Sequence, residues 1–122
     1  MRRILLTTLM LLQWTHVHAE DADDGTRSPG DLNAEERIEM MQLANAYHTC
    51  VYNTAMAGID AHEDIRHIAD QAMGECDDRL GTLGETISGW GFPRGFAESF
   101  TRSVRDRAVH QLLPELAVRK GG

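Results

Sequence analysis

Two histidines lie five positions apart in His62-Glu63-Asp64-Ile65-Arg66-His67, and imidazoles at helical spacing beside a carboxylate are what a zinc site is made from. That motif needs its ligands at i and i+4 on one face, whereas a spacing of five points the two rings in different directions. Glu63, His67 and Asp70 or Gln71 could share a face and hold a metal ion weakly, which leaves a small hydrolase or metal-binding protein as one reading of the region. The competing reading is a solvated helix start, with acids near the positive end of its dipole. No residue is assigned as a metal ligand, and no cofactor is expected.

Nucleophilic chemistry finds less support. His48 precedes Cys50 by two positions, a pairing that could activate a thiolate, but neighbouring residues on a helix diverge in direction. Asp77 and Asp78 are adjacent, so they cannot face one another as acid and base. The sequence contains no Cys-x-x-Cys, no Gly-x-Ser-x-Gly elbow and no glycine-rich phosphate loop. An enzyme is therefore not expected.

Binding chemistry is better represented. In residues 88–96, Trp90, Phe92 and Phe96 are separated by glycines that let the backbone turn tightly. Such a passage either plugs one end of a helical bundle or presents Trp90, Phe92 and Arg94 to a partner. Arg102, Arg105 and His110 follow at helical spacing and make either a solvated face or an anion-facing strip. Trp90, Phe92, Arg94, Arg102 and Arg105 are the candidate binding residues.

These side chains must be positioned by helices. Asn33 and Glu36 form a capping-box pattern, and Met40, Leu43, Ala44, Tyr47, Cys50, Val51 and Thr54 recur at spacings of three and four, so a first helix is expected over 34–57. Ile38, Met41, Tyr52 and Met56 form a second apolar strip beside it. An arc that wide suggests contact with two partners. A second helix is expected from about residue 64 to 89, on Ile65, Ile68, Ala69, Ala72, Cys76, Leu80, Leu83 and Ile87. A third is expected from Pro93 to Leu113, where Pro114 breaks or kinks it. The fold class is all-α: a three-helix bundle built on a disulfide-linked antiparallel helical hairpin, with Cys50 bonded to Cys76.

The disulfide follows from the compartment. Arg2 and Arg3, the run from Ile4 to Leu12, and Val17-His18-Ala19 describe a secretory signal peptide cleaved after Ala19. The run is too short to span a bilayer, so no stable membrane anchor is expected and the protein is periplasmic or secreted. The chain has two cysteines, and in an oxidising compartment they have only each other to pair with. The expected organisation is a signal peptide over 1–19, a flexible acidic leader over 20–31, a helical domain over 32–114, and a short turn with a frayed basic tail over 115–122.

Charge narrows the partners. The formal charge is −7, and loss of Arg2 and Arg3 with the signal peptide makes it −9, which disfavours nucleic acid and anionic membranes. The sign changes along the chain. After Trp90 come Arg94, Arg102, Arg105, Arg107, Arg119 and Lys120 against Glu98, Asp106 and Glu115. A basic third helix could lie beside the acidic hairpin, or offer a cationic face to an acidic ligand.

With Cys50 late in one helix, Ile68-Ala69 at the start of the next and Cys76 within it, residues 48–80 resemble a diffuse group of small exported bacterial helical proteins with two cysteines. That resemblance implies a disulfide-stapled helical hairpin, with no activity and no binding residue to carry over. The expected role is a non-enzymatic binding or interaction module of the bacterial envelope, monomeric or weakly dimeric, with an unknown envelope protein as partner. The alternative is a periplasmic immunity or inhibitor protein.

Overall fold

In the computed structural model, which describes residues 25–121, those residues are all-helical: four α-helices, a short 3-10 turn and no strand. The expected signal peptide and residues 20–24 lie outside the described residues. Helix α1 (Ala34–Ala57) starts on the expected capping box. Asn33 Oδ1 accepts from the Glu36 amide at 2.8 Å, and Glu36 Oε2 accepts from the Asn33 amide at 3.1 Å. Met40, Ala44, Tyr47, Val51 and Ala55 form its buried stripe, and it packs against all three other helices. The second apolar strip divides: Tyr52 and Met56 are partly buried against the core, but Ile38 and Met41 are 59% and 50% exposed.

The bundle has four helices rather than three because the expected second helix breaks at Cys76. Helix α2 (Ile65–Glu75) begins at Asp64, whose Oδ1 accepts from the Arg66 amide at 2.9 Å, and α3 (Asp77–Gly89) follows directly. Cys76 itself, at φ −99° and ψ 3°, is fully buried and bonded to Cys50, with the two Cα atoms 6.0 Å apart. Gly74, two residues earlier, weakens the helix where the disulfide holds it. The apolar spacing Cys76, Leu80, Leu83, Ile87 runs through the break without a slip, so the sequence reads as one helix where the backbone makes two.

Helix α4 (Arg94–Gly121) corrects the expected stop at Leu113 and the frayed tail beyond it. Pro114 lies inside this helix. A proline there costs about 3 kcal/mol, through a lost hydrogen bond and a clash with the preceding turn. Leu116, fully buried on the far side of Pro114, offsets this with about 1.5–3 kcal/mol of apolar burial. The last turn is also held from outside: Arg119 Nη2 donates to the Tyr52 hydroxyl at 3.1 Å, and Lys120 Nζ donates to the His62 carbonyl.

The expected flexible leader over 20–31 is tied down from Gly25 onward. Arg27 pairs with Glu36 at 2.7 and 2.9 Å and donates to the Asp31 and Trp90 carbonyls at 2.7 and 3.0 Å. Its guanidinium carbon also lies 4.4 Å from the centroid of the Phe92 ring. One side chain thus joins the entry of α1 to the turn between α3 and α4. Among the described residues, no helix is long and apolar enough to cross a membrane.

Candidate functional site

The turn that joins α3 to α4 needs glycine at one point, Gly91, whose φ is +87°. From there Phe92 turns inward, 2% exposed, with its ring centroid 5.1 Å from that of the partly buried Phe96. Trp90 is half-buried and packed against the core. The aromatic passage therefore closes the bundle end, and Phe92 belongs to the core rather than to a free surface. Arg94, which opens α4, is exposed.

Arg94, Arg102 and Arg105 fall on one side of α4 because steps of eight and three residues return to nearly the same helical face. All three line a groove of about 610 Å³ between α4 and α3. The opposite wall carries Asp77 and Glu85 from α3, at the same side as Gly81 and Gly84. These glycines hold the groove open. A methyl group added at Gly81 would meet nothing within 4 Å, and one at Gly84 would reach only the Thr101 methyl, at 3.5 Å. The Thr101 hydroxyl is already donated to the Glu98 carbonyl at 3.0 Å.

Among the described residues, ion pairs within 4.0 Å join Arg27 to Glu36 and Arg66 to Asp64, and none involves Arg94, Arg102 or Arg105. Asp77 and Glu85 stand on the α3 wall, while Glu98 shares the α4 wall with the three arginines. The field reaches the core beneath: burial raises the phenol pKa of Tyr47, with Arg105 lowering it and Asp77 raising it. The Tyr47 hydroxyl is buried without a hydrogen-bond partner among the described residues.

The other sequence candidates are placed differently. Cys50 is committed to the disulfide, so it offers no thiolate. His48 is half-buried on α1; burial first and Arg107 second hold its pKa below the ordinary 6.5. His62 and His67 do not diverge as their spacing suggested, for their ring centroids are 3.9 Å apart. His62 lies in the connector before α2, free of helical geometry, and folds back over His67. Still, no three His, Cys, Asp or Glu side chains among the described residues are grouped to hold a metal.

Sequence reasoning found the three arginines but missed what faces them. Asp77, Gly81, Gly84 and Glu85 fall at i, i+4, i+7 and i+8 on the non-core side of α3, a signal that the apolar stripe hides. Arg27 carried no signal, since its segment has no periodicity. Comparison with protein-family models, with curated proteins and with solved structures found no match.

Proposed function

We propose that this protein is a non-enzymatic binding module of the bacterial envelope, which takes an acidic segment of a partner into the groove between α3 and α4. The observation that carries the reading is the row of three arginines along one groove wall with no carboxylate paired to them among the described residues. Arginine forks bind carboxylates in two-pronged fashion, and a small-residue floor lets a backbone approach closely. Solvated ion pairs contribute little one at a time, so the expected affinity is modest and salt-sensitive. The Cys50–Cys76 disulfide suits an oxidising compartment outside the cytoplasm, and cleavage after Ala19 remains part of the proposal.

A titration with an acidic peptide tests this, followed by the backbone amide signals of the full chain up to several millimolar peptide. Shifts confined to α3 and α4, and reduced by added salt, are expected. Shifts absent from both helices would overturn the reading.

A further inference from the structure

We propose that His62 and His67 form an open site for a divalent transition cation, copper(II) above all, which ties the connector between α1 and α2 to the first turn of α2. The two ring centroids lie 3.9 Å apart with the planes inclined at 58°, and both residues are exposed, so a cation reaches them directly from solvent. The rings are brought together by two different pieces of backbone. His67 is the third residue of α2, whose start Asp64 caps. His62 lies in the connector, where Lys120 Nζ, at the far end of the chain, donates to its carbonyl. That bond holds the connector against the end of α4. The His62 ring is thus presented to α2 by a fixed backbone, and little ordering is left for a ligand to impose.

Imidazole nitrogen is a common ligand of copper and zinc, at about 2.0–2.1 Å for zinc. With bonds of that length, two imidazoles in adjacent positions on one metal have ring centroids roughly 4.5–5 Å apart. A small swing of the two exposed rings about their side-chain torsions therefore opens the pair onto a cation. No third His, Cys, Asp or Glu is grouped with them among the described residues, so water completes the coordination. An open set of nitrogen and water ligands suits tetragonal copper(II), which also heads the affinity order of the divalent first-row ions. Arg66, Lys120 and the positive end of the α2 dipole oppose a cation here. Asp60, Glu63, Asp64 and Asp70, exposed on the same segment, favour it and outnumber those charges. The site stands apart from the groove between α3 and α4 and does not depend on what that groove binds.

The test titrates copper(II) into the full chain, with the backbone amide signals and the melting temperature as readouts. Paramagnetic copper(II) at a fraction of an equivalent is expected to broaden the amides of residues 61–68. One equivalent is expected to raise the melting temperature, because the cation binds the folded chain in preference to the unfolded one. His62→Gln and His67→Gln change exposed side chains and leave the core untouched. Each should weaken binding at 61–68 by about tenfold or more, since even an outer partner of a metal ligand contributes that much. His110→Gln, which changes an exposed histidine of α4, should leave the broadening at 61–68 as it was. Broadening that spares 61–68 in the unaltered chain would overturn the proposal. So would broadening there that persists at the same copper concentration in either His62→Gln or His67→Gln.

Discussion

Arg27 and Glu36, nine residues apart, join through two hydrogen bonds of 2.7 and 2.9 Å, and this pair fixes the chain that enters α1 against the turn that enters α4. Glu36 serves twice, since the same carboxylate closes the capping box with Asn33. The turn into α4 and the start of α1 are thus one polar assembly.

Arg27→Ala is expected to lower the melting temperature by several degrees, because it removes the pair with Glu36, two carbonyl contacts and the stack on Phe92 together. Arg37→Ala, which loses only an exposed bond to the Leu32 carbonyl, provides the contrast and should have a much smaller effect. Equal melting temperatures for the two variants would show that the Arg27 assembly contributes nothing special.

Stability should fall on acidification in two stages. Burial and Arg107 depress His48 below 6.5, so its neutral form is the one the fold accepts, and stability is lost as pH drops from 6.5 through the lowered value. The hydrogen bond from Arg27 is the main cause that depresses Glu36 below its ordinary 4.5, opposed by burial and assisted by the Asn33 amide. Its contribution is complete above 4.5 and disappears as pH falls through the folded value. Urea midpoints measured across pH should lose the first slope in His48→Gln and part of the second in Glu36→Gln, the rest belonging to Asp64, whose carboxyl the Arg66 amide holds below its ordinary value. Unchanged slopes would contradict these assignments.

Reduction of Cys50–Cys76 closes no other bond in exchange and releases a loop with a sequence separation of 26. Urea unfolding with and without reductant should differ by about 3–4 kcal/mol. A difference near zero would mean that the helices alone fix the register.

Pro114 and Leu116 make opposite contributions to α4. Leu116→Ala should cost about 2–5 kcal/mol, since the side chain is fully buried. Pro114→Ala should stabilise by about 1–3 kcal/mol, because it restores a helical donor at an exposed position. A destabilised Pro114→Ala would instead show that the ring itself packs usefully.

The apolar spacing made the helices legible, and the capping box at Asn33 and the pairing of the two cysteines were legible beside it. It did not show the break at Cys76, because backbone direction can change while side-chain spacing persists through Leu80 and Leu83. Nor did it show α4 continuing past Pro114, where burial of Leu116 outweighs a local preference. For the groove, one wall was readable as a row of arginines. The other depends on Gly81 and Gly84 as empty space, and an absence of side chain carries no periodic signal. The meeting of His62 with His67 was hidden because a residue in a connector obeys no helical angle.

Charge reversal tests the central claim most directly. The full chain and its Arg102→Glu/Arg105→Glu variant would each be titrated with an acidic peptide and with a basic peptide of equal length, at low salt. The account predicts that the unaltered chain prefers the acidic peptide and the variant prefers the basic one, with circular dichroism unchanged. If both proteins bind the two peptides alike, the groove between α3 and α4 is not the binding surface.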